Sequence, residues 1–317
     1  MVIKRTLFFT RPAYLHTRHE QLVVEYPDAP PPPPRARRLK DIPEEGPRTV
    51  PIEEIGFVIL EHGRITLTNR LVEKLMESNA VIVHCNSRHL PFSMTLPMVG
   101  HTEYTRRLRL QLESSVPLRK NLWKQTVQAK ILNQAGVLEK FGKDAEKLRL
   151  LARKVTSGDR YNEESKAAVY YWSTLFAEWP DFIRHRDGPP PNALLNYGYA
   201  ILRAVAARAL VGSGLLPALG IHHQNKYNPY CLADDIMEPY RPFVDALVFT
   251  MFQNGIGGED KLTPWVKQQL AQVPVLDVLI EGKRRPLMVA MSRTTNSLYE
   301  CFAHVSRKMV YPSCCEG

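Results

Sequence analysis

Residues 192–210 read NALLNYGYAILRAVAARAL, and this stretch decides the fold. Ala193, Leu194, Leu195, Tyr197, Ala200, Ile201, Leu202 and Val205 cover nearly the whole circumference of a helix. A helix that is apolar all round is expected at the centre of a helical core. The longest apolar run, over 200–219, is broken by Arg203, Arg208, Gly212 and Gly214. It falls short of the ~20 uncharged residues of a membrane span, so no transmembrane helix and no membrane partner are expected. Helical periodicity continues on both sides. Upstream, Trp123, Val127 and Ile131 recur at intervals of four, beside a polar stripe of Lys120, Lys124 and Gln128. Residues 138–155 form a charged amphipathic stretch. Downstream, 232–252 and 263–271 read as helices, with Thr263-Pro264 as a start signal for the second.

The first hundred residues read differently. Arg5–Phe9, 21–24, Ile55–Leu60 and 80–85 are short runs rich in Val, Ile, Phe and Leu, as strands are. Thr68 is placed to cap one helix reaching Ser78, with Leu71, Val72 and Leu75 on one face. Five prolines at 30–34, followed by Arg35, Arg37, Arg38 and Lys40, predict an extended basic loop. Residues 90–97 hold two prolines and read as a linker. The fold class is therefore α+β: a small β-rich domain over 1–97, then a larger all-α domain over 98–317. A length of 317 residues suits about two domains. The start, MVIKRTLFFTRP, lacks the long apolar core of a signal peptide. The five cysteines form no CxxC pair, which argues against a zinc ribbon or disulfide framework and for a cytoplasmic location.

The net charge is +10, and it is not evenly spread. Residues 101–157 hold 13 Lys+Arg against 5 Asp+Glu, a net of +8. Residues 158–317 are neutral, with 16 of each. A cationic block of this kind predicts contact with a polyanion, and Arg106, Arg107, Arg109, Arg119, Lys120 and Lys124 are the candidate DNA-binding side chains.

Acids and histidines gather in the neutral half. In GDRYNEESKAA (158–168), Asn162 reads as a helix N-cap, and the acids after it suit the helix dipole. Glu164, however, shares one face with Ala167, Ala168, Tyr171 and Leu175, which reads as the packed face. A carboxylate there needs a counter-charge. His222 and His223 are adjacent in a loop bounded by Gly220. In DDIMEPYRP (234–242), Asp235 and Glu238 stand three apart, and Arg241 is placed to pair with one of them. These three segments offer Glu164, one histidine and one or two acids. Oxygen donors with a single imidazole suit Mg²⁺ or Mn²⁺ better than zinc. A hard divalent ion beside a cationic platform implies phosphodiester chemistry. The chain has no GxxxxGKS or GxxxxGKT phosphate loop, GxSxG elbow or HExxH pair, and Gly255-Ile256-Gly257-Gly258 lacks a dinucleotide setting. Cys85 and Cys231 read as core thiols.

Five quoted stretches carry a family resemblance. RTLFFTRPAYLHTRHEQLVVE (5–25), PIEEIGFVILEHGRITLTNRLVEKLMESNAVIVHCNSRHLPFSMTLPMVGH (51–101), NLWKQTVQAKILNQA (121–135), GDRYNEESKAAVYYW (158–172) and NALLNYGYAILRA…GLLPALGIHHQNKYN…LADDIMEPYRPFVD (192–245) are in family order. The chain resembles the CRISPR-associated endonuclease/integrase of spacer acquisition, in the branch that accompanies type II systems. The resemblance implies metal ligands Glu164, His223 and Glu238 for Mg²⁺ or Mn²⁺, with Asp235 as an additional acid and Asn225 and Asn228 shaping the loop. His223 is preferred because it stands three residues after Gly220. The resemblance further implies a homodimer formed through residues 1–97, and a hetero-hexamer with a second adaptation subunit. It implies a duplex prespacer whose 3′-hydroxyls attack the leader-repeat DNA by transesterification, in a prokaryotic cytoplasm. The alternative from a different class is an architectural duplex-DNA-binding subunit without metal-dependent catalysis.

Overall fold

The computed structural model describes residues 4–27, 48–256 and 262–314. The chain divides into two compact units, Met1–Met98 and Val99–Gly317. The proline run at 30–34 with its basic tail, and Cys315, lie outside the described residues.

The first unit holds β1 (Arg5–Phe9), β2 (Ala13–Arg18), β3 (Gln21–Glu25), β4 (Arg48–Pro51), β5 (Ile55–Leu60), β6 (Ile65–Leu67), α1 (Asn69–Glu77), β7 (Val81–Cys85) and β8 (Pro91–Thr95). They make two four-stranded sheets, ordered β1-β5-β7-β8 and β4-β3-β2-β6. β1, β5 and β7 run parallel, and β8 closes the edge antiparallel to β7. β5 reads IGFVIL and is buried at every residue, the pattern of an inner parallel strand. Leu15 and Leu22 of one sheet, Val58 and Ile82 of the other, and Leu71 and Leu75 of α1 share one apolar cluster. The Thr68 hydroxyl caps α1 by accepting from Leu71 N at 3.3 Å. The expected linker over 90–97 is instead largely β8. Pro91 is tolerated because it stands first in an edge strand, where a missing N–H breaks little of the ladder.

The second unit holds α2 (Tyr104–Leu112), α3 (Val116–Lys140), α4 (Glu146–Lys154), α5 (Glu163–Leu175), α6 (Asn192–Gly212), α7 (Cys231–Met237), a 3-10 turn (Glu238–Tyr240), α8 (Arg241–Gln253), α9 (Pro264–Leu270), β9 (Asp277–Ile280), β10 (Lys283–Pro286) and α10 (Leu287–Phe302). α6 is the central helix, packed by α7, α8 and α10. It is long and apolar enough to cross a membrane by length and composition, but 78% of that window is buried inside the unit. The unit is not all-α. β9 and β10 form an antiparallel hairpin whose turn, Glu281-Gly282, takes φ of 50° and 70°. Strands of four residues are too short to carry a period that distinguishes them from loop. The expected helix over 232–252 is also broken, because Pro239 and Pro242 lack the N–H that would continue it. The stretch over 138–155 divides between α3 and α4, with Gly142 at φ 69° between them.

Candidate active site

The turn before α5 is built from residue types that tolerate a left-handed backbone. Gly158, Asp159 and Asn162 take φ of 71°, 48° and 55°. Asn162 was the expected cap, but its side chain makes no capping bond. Asp159 caps instead, its carboxylate accepting from Glu163 N at 2.9 Å and Glu164 N at 3.0 Å. This fixes the first turn and separates the two glutamates. Glu163 pairs with Lys166 at 2.7 Å. Glu163 is the more buried of the two; Glu164 is half-buried beside Ala167 and Tyr171, and its Oε1 lies 2.6 Å from Lys130 Nζ. Lys130, on α3, is the counter-charge that the packed face requires.

Glu238 opens the 3-10 turn and reaches the same ammonium. Its Oε2 is 2.6 Å from Lys130 Nζ, and its Oε1 is 2.8 Å from Arg241 Nε. Burial favours the neutral Glu238 acid, but Arg241 and Lys130 outweigh it and hold the carboxyl down at about 2. Burial likewise opposes charge on Lys130, yet Glu238 and Glu164 keep its ammonium above the ordinary lysine value. Glu238 Oε2 and Arg241 Nε are both buried, and the ion pairs are what compensates them. A cavity of about 190 Å³ adjoins them, lined by Gln134, Ala168, Tyr199 and Asp245 among others.

The histidine loop is held by Asp235. Gly220 permits the approach, since a side chain there would fall 2.3 Å from the His223 carbonyl oxygen and 2.8 Å from Asp235 Oδ2. Fully buried Asp235 accepts from His222 N at 2.9 Å and His223 N at 3.3 Å, and its Oδ1 lies 2.5 Å from His223 Nδ1. That bond raises the His223 pKa against the opposing effect of burial, and the charges of Glu238 and Glu164 add to it. The imidazole therefore lies in the field of both glutamates, with Nδ1 donating to Asp235 and the Nε2 lone pair of the neutral ring available to a ligand. His222 is different: it stacks on Trp123, centroids 4.1 Å apart at 1°, and burial lowers its pKa. Asn228 donates to Asp234, which pairs with Arg203, and Asn225 accepts from Tyr227 N.

Glu164 and Glu238 thus meet on one cation, with His223 nearby and Asp235 behind the histidine. Among the described residues no three His, Cys, Asp or Glu side chains are close enough to form a ready metal cage. Lys130 escaped the sequence reading. Its signal is its place three residues after Val127 and seven after Trp123, which makes it a lysine on the apolar face of α3. Asp245 also escaped. Tyr171 donates to it at 3.1 Å, Tyr199 donates to its other oxygen, and burial lifts it to about 7.

The basic candidates divide. Arg109 and Lys120 are exposed, while Arg119 and Lys124 are half-buried. Arg119 shares a cavity of about 280 Å³ with Gly220 and His223. The Lys120 stem packs over Gly158. Arg106 is exposed and paired with Glu103 at 2.8 Å. Arg107 departs from the expectation of a DNA contact: its side chain is only 11% exposed. It donates to the Ser213 carbonyl at 3.0 Å and lies 3.7 Å over the Tyr299 ring, a packing role.

Converging carboxylates, an oriented imidazole and adjoining cations are the equipment of an enzyme that acts on nucleic-acid phosphodiesters. The family model for CRISPR associated protein Cas1 matches residues 7–267. The CRISPR-associated endonuclease Cas1 of Neisseria meningitidis serogroup C (strain 8013) is 40% identical over 251 residues, 78% of this chain and 81% of that protein. The chain belongs to the Cas1 family of CRISPR-associated spacer-acquisition endonucleases. Two solved structures share the fold. A casposase bound to integration product has a TM-score of 0.73 at 17% identity, covering 98% of this chain and 92% of that one. A chain of a Cas6-RT-Cas1–Cas2 complex has a TM-score of 0.72 at 18% identity, covering 98% and 36%.

Proposed function

We propose that the protein is a divalent-metal-dependent DNA integrase and endonuclease that inserts short duplexes into a CRISPR array, in the type II branch of the family. The observation that carries this reading is the convergence of Glu164 Oε1 and Glu238 Oε2 on a single cation, 2.6 Å from each. Those oxygens and His223 Nε2 would hold Mg²⁺ or Mn²⁺, the hard ions that carboxylates with one imidazole favour. The buried Glu238 Oε2, which already draws a cation, suits such an ion. When bound, the ion supplies Lewis-acid polarisation of the scissile phosphate.

The remaining work belongs to side chains of this chain. Asp235 fixes the His223 ring through Nδ1, which leaves Nε2 as the nitrogen that would ligate. Arg241 neutralises the Glu238 oxygen that does not face Lys130. Arg109, Arg119, Lys120 and Lys124 bind backbone phosphates. The 3′-hydroxyl oxygen of the incoming strand forms a bond to the phosphorus at the repeat border as the bond from that phosphorus to the 3′ oxygen of the flanking target nucleotide breaks. One phosphodiester replaces another, and the proton of the attacking hydroxyl ends on the leaving oxygen. No nucleotide hydrolysis is needed.

The family likeness supports a homodimer through residues 1–97, a Cas2-type partner in a hetero-hexamer, and action on prespacer and leader-repeat DNA in a prokaryotic cytoplasm. The test is strand transfer of a short duplex into a supercoiled plasmid, with the partner subunit and Mn²⁺ or Mg²⁺. Joined products that vanish with a chelator are expected. Cut products alone would reduce the protein to a nuclease, and duplex binding with neither cutting nor joining would favour the architectural reading.

A further inference from the structure

We propose that Lys130 is a positioning residue. It acts as an internal cation that keeps Glu164 and Glu238 converged in the metal-free protein, and it competes with a divalent ion for the same oxygens. The proposal rests on the reading of these acids as metal ligands.

The geometry is specific. The ammonium touches one oxygen of each acid, at 2.6 Å in both cases, so it occupies the space between the two carboxylates that would hold a metal. Two carboxylates brought together with little solvent repel one another and favour neutralisation. A cation between them removes that repulsion before any metal arrives. Packing alone gives no reason for a charge here, because Trp123, Val127 and Ile131 on the same face of α3 are fully or almost fully buried. Lys130 itself is only 13% exposed.

Lysine rather than arginine fits a cation that must leave. Its charge is compact and sits on a flexible four-carbon stem, whereas a guanidinium holds a fixed fork. The cavity of about 190 Å³ beside Gln134 and Ala168 gives the ammonium room to withdraw. Arg241 is built to stay: its guanidinium also lies 4.5 Å over the Tyr199 ring and pairs with the other Glu238 oxygen.

The test is Mn²⁺ binding to the full chain at pH 8 without DNA, by calorimetry or by the loss of free-ion paramagnetic signal. Lys130→Met removes the charge and keeps the stem, and Lys130→Gln keeps hydrogen-bonding capacity should the first variant fail to fold. Either variant is expected to bind Mn²⁺ about tenfold or more tightly than the wild type, because the competing state is gone. The metal-free variant is expected to melt earlier and to recover with Mn²⁺. On the wild type, the Nζ nitrogen resonance of Lys130 is expected to move with Mg²⁺ saturation. Unchanged or weaker Mn²⁺ affinity in the neutral variants, or an unmoved Lys130 resonance, overturns the proposal. Glu164→Gln separates the two levels. If it abolishes Mn²⁺ binding while the Lys130 variants change nothing, only the role of Lys130 falls. If Glu164→Gln binds Mn²⁺ as the wild type does, the metal site falls and the Lys130 proposal falls with it.

Discussion

The acid pocket and the cationic surface of α2 and α3 are both charged, and they are built in opposite ways. In the pocket every charge has a named partner: Glu164 and Glu238 share Lys130, Glu238 also takes Arg241, and Asp235 takes His223. On the surface, Arg109 and Lys120 are exposed, and Arg106 pairs with the exposed Glu103. A charge out of water must be matched or it is lost, whereas a charge in water can wait for a ligand. The pocket is therefore preorganised and brittle, and the surface is tolerant and additive.

The sharpest break in this comparison is Glu238→Ala. Removing one member of a buried ion-paired group leaves Arg241 without its carboxylate and Lys130 with Glu164 alone, with an expected loss of about 3–5 kcal/mol in denaturant unfolding. Glu238→Gln keeps the shape and is expected to lose less. A Glu238→Ala protein as stable as the wild type would show that the pocket is not brittle. Next in size is charge reversal of Arg109, Arg119, Lys120 and Lys124. Duplex affinity is expected to drop, and the slope of log affinity against log salt to shrink by about one for each phosphate no longer neutralised, with folding intact. Unchanged slopes would remove the DNA role from this surface.

A smaller effect concerns pH. Asp235 raises the His223 pKa, so the pairing stabilises the fold fully below the ordinary histidine value and is lost as pH rises through the raised one. Metal ligation needs the neutral ring, so Mn²⁺ affinity is expected to climb through a pH above the ordinary histidine value. Asp235→Asn is expected to move that inflection down, and an unmoved inflection would detach Asp235 from the site. The smallest contrast lies within one helix. Arg107→Ala is expected to lower the melting temperature because the guanidinium no longer packs on Tyr299, and Arg106→Ala to leave it unchanged. Equal shifts would contradict the division between them.

Much of this was legible in the sequence. The all-round apolar pattern of 192–210 marked the central helix, and the Thr68 and Thr263 caps marked two helix starts that the backbone adopts. The face shared by Glu164, Ala167 and Tyr171 announced a carboxylate in need of a cation, and Glu164 is half-buried against Lys130. What stayed hidden was information carried by distance in space. Lys130 stands 34 residues from Glu164 in the chain, and no local period links them. Asp159 and Asn162 are both good cap types, and only backbone geometry decides between them. The hairpin at Asp277–Pro286 is too short to show a period, and Arg107 looks like its neighbours until Tyr299 and Ser213 surround it.

The central claim is that Glu164 and Glu238 form one cation site that drives strand joining. Its most direct test is Glu164→Gln, assayed side by side for duplex binding and for Mn²⁺-dependent joining of a 3′-hydroxyl duplex to plasmid. The expected result is wild-type duplex affinity with joined product absent. Joining at the wild-type rate by Glu164→Gln, or by the wild type in excess chelator, would contradict it.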